Sequence, residues 1–555
     1  MRSQLMPDLD KESLEAMSGP VVDRRTTISL LGAAGMGGLA GCSGGGGGDS
    51  GGDGGTTSGT TQSGPKMGGR LQAGWFTGSI DTLDPPYISV GQYFQVAANI
   101  FNGLVTLTTD LTIEGDLAKD WTISDGGKKF TFDLREGVTF HNGTEFTADD
   151  VKYTINRTIE NKTPAAGKLS TLEPVDQGGV VVKDDYTVEL NFEKAMAPAL
   201  VYLTRGPGRA ATIVCKEAIE EMGREQYSIT PVGTGPFEVV EHDVGSGIKL
   251  DAYEDYFDTD SEDRQLPYLD GIDINPIPEP ATLVSAIRGG DVDFTNLVPL
   301  QNVSQVEQAS EVEKLRAPGV NWYGLAMNQT REPFGDKEVR RGIAKVVSSE
   351  KFVQSAYFGN ALAAQGPINK ATRWAWREDK PDDQAYAPEE GKQILKDTGA
   401  YGASFDILTT SSSLRAAKAM RQQLNAAGFD VSIEQVTAST YWSRYQALDY
   451  DVTISGSVGD PDPDQSLWNF YRKDGSWNWT SYEDDTVHQL LAEQRRALDR
   501  DQRAKVLQKL EDRLIADVPH VYLSHRDDLA AARKRVRGFE HVPYMRNFHT
   551  VWLDE

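Results

Sequence analysis

The densest cluster of chemically capable side chains in this sequence is the run Gly456-Ser457-Val458-Gly459-Asp460-Pro461-Asp462-Pro463-Asp464, three acids spaced by prolines. Carboxylates so placed suit a hard cation such as calcium, or form an acidic turn exposed to solvent. The run lacks the glycine turn and the closing bidentate acid of a calcium loop. Seven histidines are scattered along the chain, and the closest pair, His520 and His525, is five residues apart. A four-residue gap stacks two rings on one helical face; five does not. No His-Glu-x-x-His, Gly-x-Ser-x-Gly or phosphate-loop pattern occurs, so a hydrolase is the weaker alternative and the chain is expected not to be an enzyme. No cofactor is called for.

Seven of the ten tryptophans lie between Trp322 and Trp479, among many Tyr and Phe. Such clusters are commonly core. A cleft that grips organic solutes also needs flat apolar walls with a few polar anchors, and Tyr323, Trp376, Trp442 and Trp468 are the expected wall residues. Of two cysteines, Cys42 and Cys215, the second sits in the strand-like run Ala211-Thr212-Ile213-Val214-Cys215 and reads as a buried, inert thiol. A disulfide framework is excluded.

The elements that must position these residues are mixed. From about Gly69 onward, short alternating runs such as Lys129-Phe130-Thr131-Phe132-Asp133-Leu134 interleave with helical stretches, which implies an α/β class. Thr147 followed by Asp149 and Asp150 reads as a helix start, and Asp336 to Phe352 as one helix. There is no repeat of 20 to 50 residues, so solenoids and propellers are excluded.

The first 42 residues read as an address. Arg24-Arg25 precedes a modestly apolar stretch that is too short to span a bilayer, and the pair resembles a twin-arginine export signal. Leu39-Ala40-Gly41-Cys42 resembles a lipobox whose cysteine carries lipid. Residues 43–65, nearly all Gly, Ser, Thr or Asp, read as a disordered tether with a reach of roughly 25 Å. The expected location is therefore extracytoplasmic, on the outer face of the membrane. Eighty-two acids against 56 bases give a net charge of −26 spread along the whole chain. This excludes the basic footprint that nucleic acid needs and suits a halophilic host.

One longer pattern carries a resemblance. Leu117-Ala118-Lys119-Asp120-Trp121, then 128–144 (Lys-Lys-Phe-Thr-Phe-Asp-Leu-Arg-Glu-Gly-Val-Thr-Phe-His-Asn-Gly-Thr) and Phe146-Thr147-Ala148-Asp149-Asp150-Val151 resemble the signature of the family 5 extracellular solute-binding proteins of ABC importers. Leu83-Asp84-Pro85, Gly233-Thr234-Gly235-Pro236-Phe237, Arg288-Gly289-Gly290-Asp291-Val292-Asp293-Phe294, Pro333-Phe334 and Val339-Arg340-Arg341 extend the likeness through the body. Locally, Gly-Thr-Gly-Pro reads as a turn re-entering a sheet, and Gly-Gly-Asp as a helix end before an edge strand. His141, inside the signature, reads as a hydrogen-bonded structural histidine.

The resemblance implies a two-lobed, periplasmic-binding-protein-like (type II) fold with an extra subdomain in the first lobe. Lobe I would take residues 66–312 plus 522–555, with the insert at about 97–230, and lobe II residues 313–521. It further implies a small solute, a peptide or peptide-like molecule, held between the lobes and passed to ABC permease subunits with their ATPase; a lipoprotein feeding a sensor is the alternative. In peptide-binding members an Asp in a Gly-x-x-(Gly or Ala)-Asp segment pairs with the ligand ammonium, and Asp460 matches that position. Ser457 stands where the family often has an aromatic, which points to a bulkier ligand or one that is not a peptide.

Overall fold

A computed structural model describes residues 64–206, 209–459 and 461–554. Arg24, Arg25, Cys42, the tether up to residue 63 and Asp460 lie outside the described residues.

The chain opens with the strand Arg70–Trp75, whose Leu71, Ala73 and Trp75 are fully buried. Alternation puts all three on one face, and that face seeds the first sheet. This strand runs parallel to Gly271–Pro276 on one side and Phe294–Thr295 on the other. Antiparallel strands complete a seven-stranded sheet in the order Val312–Ala317, Asp528–Arg533, Phe294–Thr295, Arg70–Trp75, Gly271–Pro276, Gly247–Ala252, Phe237–Asp243. The helix Pro280–Gly289 ends at Gly290 in the left-handed region, as expected. The strand after it lies inside the sheet and not at its edge, because the C-terminal strand Asp528–Arg533 pairs on its open side.

A four-stranded antiparallel sheet, Ala118–Ser124, Lys129–Leu134, Thr187–Asn191 and Val180–Asp184 in that order, is packed with the helix Ala148–Glu160. Thr147 starts that helix, its backbone N–H donating to Asp150 Oδ2 at 3.0 Å. Phe130, Phe132 and Leu134 share one apolar core with Leu71 and Trp75, so this sheet is fused to the first body. The strand Phe237–Asp243 begins directly after the Gly-Thr-Gly-Pro turn. Ala211–Cys215 is no strand: only Thr212 makes an isolated bridge, and Cys215 precedes the helix Lys216–Ile229.

The second sheet orders Ala361–Ala363, His520–Arg526, Trp322–Met327, Val452–Ser457, Ser404–Thr409 and Asp430–Gln435. Its last three strands form a parallel βαβαβ unit: Ser404–Thr409, helix Leu414–Ala426, Asp430–Gln435, helix Ala438–Gln446, Val452–Ser457. Residues 336–352 split into two helices, Lys337–Val346 and Ser349–Tyr357. Ser348 accepts from Lys351 N at 3.2 Å and caps the second helix, which breaks the run that apolar spacing alone would continue.

The chain crosses between the sheets at 318–321 and again at Asp527. Both points lie a few residues beyond the expected boundaries of 313 and 522: Val312–Ala317 still pairs in the first sheet, and His520–Arg526 still pairs in the second. Pairing partners fix these limits, and apolar pattern does not reveal them. The two crossings are clamped together. Asn321 Nδ2 donates to Arg526 O, and Asn321 Oδ1 accepts from Arg526 N, both at 2.8 Å. A side chain at Gly319 would sit 1.9 Å from Arg526 O, so only glycine fits there.

Candidate functional site

In open α/β sheets, ligand crevices form outside the carboxyl ends of the parallel strands, at the point where strand order reverses. The βαβαβ unit meets the antiparallel strand Trp322–Met327 along Val452–Ser457, which creates such a point. A cavity of about 530 Å³ opens there. Thr410, Ser412 and Ser413 line it from the end of one strand and Ser455 to Val458 from the end of another. From the first sheet's side come Leu300 and Gln301.

Gly456 and Gly459 hold the turn beyond Val452–Ser457 against the crossing: a Cβ at Gly459 would lie 1.9 Å from Val320 O, and its φ is +106°. The chain is therefore pressed onto the crossing as far as Gly459. The later acids of the run turn away from the cavity. Asp462 is 3% exposed and forms a two-pronged pair with Arg503 at 2.5 and 2.6 Å. Asp464 is fully buried, bonded twice to Arg495 at 2.7 Å, to Tyr202 at 2.6 Å, and to Gln494. Burial works against its charge, yet Arg495 and the hydrogen bonds around it hold its carboxyl below the usual range. These two acids are consumed by arginines, which rules out both an exposed acidic turn and a three-carboxylate calcium site. Among the described residues no group of three or more His, Cys, Asp or Glu could hold a metal ion.

Aromatic rings line the cavity, and two of the four singled out by sequence are among them. Tyr323 and Trp442 line the cavity, Trp442 packing against Trp479 at 5.8 Å and Tyr441 at 5.1 Å between ring centres. Trp468 lies outside it, with Arg495 at 3.4 Å and Arg472 at 4.6 Å over its ring. Trp376 also lies outside, packed on the cluster around Trp322 with Lys370 over its ring. Tyr441, Tyr445, Trp477 and Trp479 were not singled out by sequence; the apolar spacing of Ala438–Gln446 carried a hint of the first two. Arg526, at the end of His520–Arg526, also lines the cavity, and nothing in its local sequence marks it.

Two of the histidines are held by backbone groups. His141 Nε2 donates to Gly235 O at 3.0 Å and Nδ1 accepts from Gly233 N, and burial lowers its pKa to about 4. His525 Nδ1 donates to Asn321 O at 2.7 Å and is likewise lowered to about 4. Burial raises the Cys215 thiol, which favours its neutral form.

The two bodies touch outside the cavity as well. Tyr202 reaches Asp464 across the gap, Lys168 donates to Gln465, and Arg373 pairs with Asp110 at 2.5 Å.

Residues 112–478 match the model for bacterial extracellular solute-binding proteins, family 5 Middle. The chain is 25% identical over 491 residues to heme-binding protein A of Haemophilus influenzae, covering 83% of this chain and 88% of that protein. It is 23% identical over 494 residues to the dipeptide-binding protein of Escherichia coli K12, covering 83% and 90%. Among solved structures, the substrate-binding protein CtaP of Listeria monocytogenes superposes with a TM-score of 0.77 at 20% identity, over 88% of this chain and all of that one. DppA of Helicobacter pylori with the peptide STSA gives 0.72 at 24% identity, over 88% and 99%.

Proposed function

We infer that this chain, which belongs to the bacterial extracellular solute-binding proteins of family 5, is the substrate-binding component of an ABC importer, taking a small solute between its two bodies and handing it to the permease. The observation that carries this is the aromatic-walled cavity at the carboxyl ends of the parallel strands, beside the clamped crossing. A volume of about 530 Å³ suits a solute of a few hundred daltons. A ligand that touches both bodies stabilises the closed arrangement by its differential affinity.

On this reading the solute is peptide-like, in keeping with the relatives named for dipeptides, and Asp460 is the anchor for its amine. The experiment is mass spectrometry of small molecules released from natively purified protein, followed by calorimetry with the molecule found. An amine-bearing ligand should lose about 2–4 kcal/mol on Asp460→Asn. Release of nothing, with no compaction in solution scattering on addition of any solute, would sink solute capture.

The same reading ties the body to the outer face of the membrane through lipid on Cys42, after export directed by Arg24 and Arg25. Cys42→Ser should release the body from membranes; retention through high-salt washing overturns the anchor. The acidic surface is read as a halophile's, so the unfolding midpoint should rise from low to molar salt as self-repulsion is screened. A salt-independent midpoint removes that part.

A further inference from the structure

Arg526 ends the strand that leaves the second sheet, and its backbone is pinned by Asn321 on both edges. Its guanidinium carbon lies 3.9 Å from the centre of the Tyr323 ring and 5.7 Å from that of Tyr357, and it donates to the Tyr323 hydroxyl. The acids beside it in sequence are committed elsewhere. Asp527 pairs with Arg316 at 2.8 Å; Asp528 pairs with Arg546 at 2.7 Å and faces His541 at 3.3 Å. Among the described residues no carboxylate pairs with Arg526. The described lining of the cavity holds a second arginine, Arg415, 4.6 Å from the Phe358 ring, and no Asp or Glu.

A half-buried cation among rings is stabilised in part by their π faces, but those faces supply less than the full counter-charge of a carboxylate. A guanidinium is also a planar fork that matches a carboxylate in two prongs. Trp442 and Trp479 line the same cavity, set edge to face with ring centres 5.8 Å apart, and offer apolar surface. Resting on the solute-capture reading above, we propose that the cavity selects an organic acid: Arg526 takes the carboxylate and the Trp442 and Trp479 rings take an apolar body. A peptide's C-terminal carboxylate and a free aromatic acid share this chemistry.

Four probes separate the possibilities: leucyl-tryptophan, its N-acetyl derivative, its C-terminal amide, and indolepropionate, each titrated by calorimetry into the mature chain. Leucyl-tryptophan should bind about 30-fold or more tighter than its amide, the scale for unpairing a desolvated charge; the N-acetyl derivative should lose what the Asp460 anchor supplies, and equal binding of that derivative removes the Asp460 anchor while leaving the one at Arg526. Preference for the dipeptide over indolepropionate assigns the acid to a peptide, the reverse to a free acid; either supports the anchor. Arg526→Gln should weaken the acids about 30-fold and leave the amide unchanged. Should that variant not fold, the acid-to-amide ratio of the wild type decides alone. Equal binding of acid and amide overturns the anchor, as does undiminished acid binding by folded Arg526→Gln. If no probe binds while the purified protein releases an uncharged or cationic solute, the anchor falls and solute capture stands. If no probe binds and nothing is released, both fall.

Discussion

Trp442 and Trp468 show how far a side chain's role depends on what it faces. Both are half-buried indoles on neighbouring helices of the same body. Trp442 opens onto the cavity and meets Trp479 edge to face, whereas Trp468 carries two guanidiniums over its ring. Trp442→Ala should therefore weaken ligand by about 1–2 kcal/mol with little loss of stability, and Trp468→Ala should lower the unfolding midpoint with affinity unchanged. Titration and melting of both variants check this; equal losses of affinity would erase the distinction. Sequence singled out both because aromatic density is visible in it and the direction of a ring is not. Arg526 was invisible for a related reason: it ends an ordinary strand, and only long-range pairing commits the adjacent Asp527 and Asp528 to other bases. The chemistry of Asp462 and Asp464 was equally illegible, since their arginine partners lie 41 and 31 residues away.

Among the elements, the legible ones are those whose stop signals are local. Thr147 before two acids announced the helix Ala148–Glu160, and the alternation of Lys129–Leu134 announced its strand. Ser348 was passed over because the apolar spacing continues through it. The crossing limits at 318–321 and Asp527 depend on which sheet each strand joins, a long-range fact. One contact between elements makes a prediction of its own. The short helix Ala199–Tyr202 of the first body donates the Tyr202 hydroxyl to Asp464 at the start of Pro463–Tyr471 in the second. Asp464 keeps Arg495 and Gln494 when that donor is lost, so Tyr202→Phe should leave each body intact and remove only the bridge. About 1–2 kcal/mol would then shift toward the open arrangement, seen as a larger radius of gyration without ligand and an affinity lowered by several-fold. An unchanged radius with unchanged affinity would show that the bridge does not bias closure.

For the molecule as a whole, the two-sheet architecture was legible through its signature hairpin, while its response to acid emerges only from where the histidines are buried. His141 sits in the turn that receives the Gly-Thr-Gly-Pro segment, His525 at the crossing, and His520 in the middle of the second sheet. Burial lowers their pKa values to about 4, about 4 and about 3, against about 6.5 in an unfolded chain. Between those limits the unfolded state binds more protons than the folded one, so stability is complete above about pH 6.5 and falls as pH drops. By pH 5 the loss should be roughly 2 kcal/mol per histidine, since 1.5 pH units at 1.36 kcal/mol each separate that pH from the unfolded value. Asp464 enters later: its lowered pKa stabilises the fold above the unfolded carboxylate range near pH 4, and that contribution disappears only as pH falls below it. Denaturant unfolding should therefore show a fall in stability between pH 6.5 and 5, the range in which these imidazoles take up protons in the unfolded chain. His141→Gln should flatten the fall by about one histidine's share at whatever stability the variant starts from. A wild-type stability that stays level from pH 7 to pH 5 would mean that these imidazoles take up protons in the folded state as readily as in water, and that the burial seen at all three is opened without cost.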